Sequence, residues 1–134
     1  MTSKKDIKKY ILKYVKECNL DVPKEFWNYD NATLAMMTNG CGPGKLGDFL
    51  VPDTLWGVSI KAACIIHDFM YCIGETELDK TKADKRFKHN MLQIINKKSK
   101  IWILKVLRRH RAMLYYDAVA IGGGDAFKKA SMEK

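Results

Sequence analysis

The sequence predicts a small all-α domain, and three observations carry that expectation. Apolar residues return at helical spacing in three long segments, around residues 7–18, 77–97 and 100–120. No segment shows a convincing strand alternation, and no internal repeat is present. Five of the nine glycines and two of the three prolines fall in one stretch, Asn39 to Gly57, instead of being spread along the chain as hairpin turns. With 134 residues the chain fits one domain, 1–134, with its motif-bearing core at about 39–95. A chain of this length buries roughly two thirds of its unfolded surface and can hold a core without covalent staples.

The opening helix places Ile7, Tyr10, Ile11, Tyr14, Val15 and Cys18 on one face. Lys4, Lys5, Lys8, Lys9, Lys13 and Lys16 occupy the others. Such a helix packs on one side and meets solvent on the other, and lysines beside an aromatic-bearing apolar stripe also suit a membrane surface. Pro23 ends it, because proline lacks a backbone donor and disfavours the α region just before it. The aromatic stretch Phe26-Trp27-Asn28-Tyr29 follows, and then a helical turn or two from Asn31 to Met37.

Asn39 to Gly57 is too rich in glycine and proline for a regular element, and a loop this long inside a small domain is usually functional. Val58 to Ile73 reads as helix, with Gly74 as its stop. The next helix, Glu77 to Lys97, carries Ala83, Phe87, Met91, Ile94 and Ile95 on one face. The last, Lys100 to Ala120, is expected to turn Ile103, Val106, Leu107, His110, Met113 and Leu114 inward. Gly122-Gly123-Gly124 ends it, and the polar tail beyond is expected to fray.

The net charge of +9 favours polyanions, either nucleic acid or an anionic membrane surface. The run KVLRRHR, Lys105 to Arg111, is the best nucleic-acid candidate, but nothing interleaved there suggests base stacking. No apolar run approaches the ~20 residues needed to cross a bilayer. The basic opening, MTSKKDIKKY, leads into no continuous apolar stretch, so no secretory signal is expected. Cys18, Cys41, Cys64 and Cys72 allow two bridges, four thiols or part of a metal site, with thiols the default inside a cell.

Two features carry chemistry: the glycine-rich Cys41-Gly42-Pro43-Gly44, and Cys64-Ile65-Ile66-His67-Asp68 within a helix. Ala63, His67 and Tyr71 share a face, and Asp68 lies a further ~100° round with Cys64 and Cys72. An imidazole and a carboxylate in so apolar a stretch need partners, since burying them alone would cost several kcal/mol. Glycines let successive carbonyls turn toward one point, and calcium takes six to eight oxygens from carboxylates, carbonyls and waters. A mixed zinc site from Cys41, Cys64, His67 and Cys72 does not have the usual spacings.

C-G-x-G followed by C-x-x-H-D-x-x-Y resembles the phospholipase A2 family, closest to its small bacterial, fungal and parvoviral branches. The resemblance covers about Asn39 to Met91. It implies calcium held by Asp68 and by carbonyls at Gly40, Gly42 and Gly44, with His67 as general base and Tyr71 beside it. Asp84, bordering the apolar stripe of its own helix, would orient His67 from an antiparallel partner helix. The family also often joins the cysteines that correspond to Cys41 and Cys64. The connection from Leu46 to Trp56 is longer than in secreted animal enzymes, and the segment between the two active helices is too short for the family's β-hairpin.

The function so implied is hydrolysis of the sn-2 ester of a glycerophospholipid by a water that His67 deprotonates. Asp84 would fix the tautomer, Asp68 and the loop carbonyls would hold Ca2+, and the Gly42 amide would help stabilise the oxyanion. The expected partner is an anionic phospholipid surface, with no nucleic acid. The chain would be made in the cytoplasm and act after release to a calcium-rich medium. Rival readings are a non-catalytic basic membrane-binding protein, a nucleic-acid-binding helical domain, and a thiol hydrolase. Cys41 suits the last poorly, since it precedes Gly-Pro-Gly instead of opening a helix.

Overall fold

The computed structural model describes residues 6–40, 54–122, 124 and 127, and within them the protein is a small all-α domain. Helix α1 spans Ile7–Cys18, a 3₁₀ turn Lys24–Asn28, and α2 Asn31–Gly40. A short hairpin pairs β1 (Thr54–Leu55) with β2 (Val58–Ser59), and α3 (Lys61–Ile73), α4 (Glu77–Lys98) and α5 (Trp102–Gly122) follow.

Local chemistry sets the ends of these helices. Asn19 closes α1 in the left-handed conformation, its N–H donating to the Val15 carbonyl, as a small polar residue does at little cost. Thr76 and Asp79 form a reciprocal capping box at the start of α4, and Asp79 also accepts from the Glu75 N–H. Three residues therefore suffice to turn α3 into α4. The two helices pack antiparallel: Tyr71 near the end of α3 meets Asp84 in the first half of α4, and His67 farther back meets Phe87 farther on.

The core is built mainly on α4, whose Phe87, Met91, Ile94 and Ile95 are all buried as their spacing predicts. Ile7 and Ile11 of α1, Leu34 of α2, and Ile66 and Phe69 of α3 join them in one cluster. Asn90 ties the connection after α1 onto α4. Its side chain accepts from the Asp21 N–H at 2.8 Å and donates to the Asp21 carbonyl at 2.9 Å.

Several expectations need correction. Asn31–Gly40 is a full helix reaching into the stretch read as a loop, and Val58 lies in a strand instead of opening α3. No strand is expected from the sequence, yet Thr54–Leu55 pairs with Val58–Ser59 around Trp56 (φ 45°) and Gly57 (φ 86°). Two positive φ values in a two-residue loop make the turn that matches strand twist, but a bulky residue at its first position is costly. Phe127, beyond the closing glycines, is buried against Tyr71 and Ala83, while the polar residues expected to fray lie outside the described residues.

The largest correction concerns α5. Ile103, Val106, Leu107, His110, Met113 and Leu114 face outward, and Arg108, Ala112 and Val119 face the core. Arg108 is the reason one face wins. Its guanidinium donates to the Leu55 carbonyl at 2.9 Å, to the Trp56 carbonyl, and to Ser99 Oγ at 3.1 Å. It thereby supports the strained Trp56 turn and ties the hairpin to the α4–α5 connection. Ala112, one turn on, lets the two long helices approach.

Arg108→Ala should therefore destabilise the fold by about 3 kcal/mol, because buried acceptors lose a charged donor. Urea denaturation followed by circular dichroism measures this. A change below about 0.5 kcal/mol would show that the hairpin does not depend on Arg108.

Candidate functional site

The site lies where α3, α4 and the end of α5 meet. His67 is fully buried on α3, stacked on Phe87 with ring centroids 4.6 Å apart and an interplanar angle of 27°. Its Nε2 lies 2.8 Å from Asp84 Oδ1, and Tyr71 Oη donates to the same oxygen at 2.6 Å. The four-residue spacing of His67 and Tyr71 brings both to one carboxylate on the neighbouring helix.

A fourth member has no counterpart among the sequence expectations. Lys80, one turn before Asp84 on α4, is buried and donates from Nζ to Asp84 Oδ2 at 2.7 Å. The same ammonium donates to the carbonyls of Val119 (3.1 Å) and Ala120 (3.2 Å) near the end of α5. In a lysine-rich helix Lys80 reads as one more solvated cation. The available signal is its i,i+4 relation to Asp84, a carboxylate that borders the apolar stripe.

These contacts set the protonation states. Burial pushes the Asp84 carboxyl up, but hydrogen bonds from His67, Lys80 and Tyr71 outweigh it and hold it below the usual carboxylate range. Burial also pushes the His67 imidazole down, more than Asp84 pulls it up, and Lys80 adds to the lowering. Burial pushes the Tyr71 phenol up, with Asp84 adding to it, so Tyr71 stays a donor. Asp84 is thus a carboxylate and His67 neutral. With Asp84 accepting from Nε2–H, the lone pair of the imidazole is on Nδ1. Nδ1 is buried and has no hydrogen-bond partner among the described residues.

Asp68 is half-buried beside His67 on α3. Gly40 is the last residue of α2, where helix geometry leaves carbonyls without intrahelical partners, and α2 packs along α3. Gly42 and Gly44, the other two proposed carbonyl ligands, lie outside the described residues, as does Cys41. Among the described residues no group of three or more His, Cys, Asp or Glu side chains converges to hold an ion.

The cysteines differ from expectation. Cys18 and Cys64 are thiols, while Cys72 is disulfide-bonded to a partner outside the described residues. Neither a Cys41–Cys64 nor a Cys18–Cys72 bridge is formed. Phe127 stands edge-on to Tyr71 at 5.3 Å, and a Cβ on Gly74 would come within 2.5 Å of its ring, so glycine there makes room for it. His110, expected in the core, is exposed, as is His89. Comparison of the chain with family models, curated proteins and solved structures returns no match.

With divalent cations chelated, stability should be level above about pH 6.5 and fall below it. The folded His67 has a lowered pKa, so the unfolded chain takes up a proton there that the folded chain refuses. Asp84 acts in the same direction at lower pH: its contribution is present above the ordinary carboxylate range and is lost as the folded carboxyl protonates. Thermal melts of the protein and of His67→Phe across pH 4–8 (about the range where both titrate) should show the upper limb only with His67 present. In the same assay at neutral pH, Lys80→Met should cost about 3 kcal/mol, since it strands a buried carboxylate.

Proposed function

We propose that the protein is a calcium-dependent phospholipase A2, hydrolysing the sn-2 ester of glycerophospholipids with a water activated by His67. One observation carries this reading. A buried, neutral imidazole has one nitrogen fixed by a carboxylate and the other without a partner among the described residues, and a second carboxylate, Asp68, stands next to it. A merely structural histidine would be expected to satisfy both nitrogens, because an unpaired buried polar atom costs about 1–3 kcal/mol.

In this mechanism His67 Nδ1 takes the proton from water as the oxygen attacks the ester carbonyl, and returns it to the leaving glycerol oxygen. Asp84 holds Nε2–H throughout and stabilises the imidazolium that forms. Tyr71 and Lys80 hold Asp84, so the carboxylate does not swing as charge appears beside it. Asp68, with the carbonyls assigned at Gly40, Gly42 and Gly44, would hold calcium. When bound, the ion supplies a seat for the phosphate and polarises the ester carbonyl. The thiols take no part.

The full burial of His67 favours a second reading, in which the same fold binds a lipid surface without turnover. Mass spectrometry of mixed phospholipid vesicles, incubated with and without calcium, separates the two. Lysophospholipid and fatty acid in equal amounts, only with calcium, are expected. His67→Ala should lower the rate about 10²–10⁴-fold while calcium binding persists. Asp68→Asn should weaken calcium affinity and rate together, and Asp84→Asn should lower the rate alone. No product from the unmodified protein at millimolar calcium, with calcium-dependent vesicle binding retained, would replace the hydrolase with the binding protein.

A further inference from the structure

Helix α5 is apolar on two opposite sides. Its inner side is spent on α4 and the hairpin. On its outer side Ile103, Val106, Leu107, Met113 and Leu114 recur at i, i+3, i+4, i+10 and i+11, and all are exposed. The first residue of the helix, Trp102, is 72% exposed. At ~1.5 Å per residue the stripe runs ~17 Å along the helix, with exposed His110 between its two apolar halves, and a patch of this kind usually marks a contact surface.

Charge identifies what would cover it. From Lys85 to Tyr116 the chain has ten Lys and Arg and no Asp or Glu. Exposed Arg109 stands on one flank of the stripe and exposed Arg111 on the other, with Lys100 beyond its start (Lys98 is paired with Glu17); Asp117 marks its far end. Two copies joined through this face would bring the same cationic rims together, which opposes a dimer. An anionic phospholipid surface accepts both parts, with the apolar side chains and Trp102 entering the interface and the cations meeting headgroups. No helix among the described residues is long and apolar enough to span a membrane, so α5 would lie along the surface.

We infer that the outer face of α5, and not the lysine-rich α1, is the surface by which the protein seats on anionic phospholipid. The inference rests on the hydrolase reading for its purpose but not for its test. In α1 the apolar stripe is occupied: Ile7 and Ile11 are buried in the core and Tyr10, Tyr14 and Val15 pack against it, leaving mainly lysines outside.

The test is co-sedimentation, in chelator so that turnover is absent, with vesicles of phosphatidylglycerol or of phosphatidylcholine. The unmodified protein should bind the anionic vesicles at least about tenfold more tightly, and more weakly as salt rises. Val106→Asp with Leu107→Asp should lower that binding about tenfold or more while the far-ultraviolet circular dichroism is kept. Lys9→Glu with Lys16→Glu should lower it less. Equal loss in both variants, or full binding by the α5 variant, would overturn the assignment. So would analytical ultracentrifugation showing a dimer that the α5 substitutions dissociate. Binding through α5 without any lysophospholipid formed under calcium would uphold the surface and reject the hydrolase.

Discussion

The arrangement around Asp84 is the constraint on which the rest depends. A carboxylate buried among helices is tolerable only if its charge is balanced and its lone pairs are used. Lys80 supplies the balance from one turn away, and Tyr71 and His67 complete the donors. With the charge already neutralised, His67 need not be protonated to compensate Asp84. Burial then decides its state, and it stays neutral. A lone Asp–His pair would pull the imidazole toward the cation. Lys80 balances the carboxylate, and its charge adds to the burial that keeps His67 neutral.

The same lysine joins the site to the far end of the chain. Its ammonium also holds the carbonyls of Val119 and Ala120, whose hydrogen-bonding options narrow as α5 ends. Arg108 does the corresponding work toward the start of α5, holding the hairpin carbonyls. Helix α5 is thus fixed at two points by buried cations whose partners are mainly backbone oxygens, and less by interdigitated apolar side chains. That is why its large apolar residues can remain outside. Ala112 and Val119 are buried on the inner side, with Tyr115 and Tyr116 packed beside them, while Ile103, Leu107 and Leu114 stay outside.

This explains which parts of the structure were legible in the sequence. The stripes of α1 and α4 have a single apolar side, and periodicity assigned Ile7, Ile11, Phe87 and Met91 to the core correctly. Helix α5 has apolar residues on two opposite sides, and spacing alone cannot rank them. Side-chain size pointed to Ile103 and Leu107, and the deciding residue was an arginine that reads as solvent-facing. The hairpin was missed because its turn is Trp56-Gly57, with no Asn-Gly signal, and because its support comes from Arg108 some fifty residues later. At the site, the helical positions of His67, Tyr71 and Asp84 were legible from spacing and from the motif. Lys80 was not, because its one local signal, the i,i+4 spacing to Asp84, is shared by Lys88 on the other side of the same carboxylate.

The disulfide correction follows from geometry on one helix row. Cys64, Asp68 and Cys72 succeed one another at four-residue spacing, so a bridge can anchor α3 one turn before Asp68 or one turn after it. With Cys64 a thiol and Cys72 bridged, the covalent point lies after Asp68, on the turn that also carries Tyr71. The last turn of a helix is where fraying begins, and Tyr71 is there held on its other side by Phe127. A covalent anchor at Cys72 stiffens the end of α3 that fixes Asp84, while the half-buried Cys64 sits in a turn that core packing already holds. Buried Cys18, at the end of α1, has its thiol pushed up by desolvation.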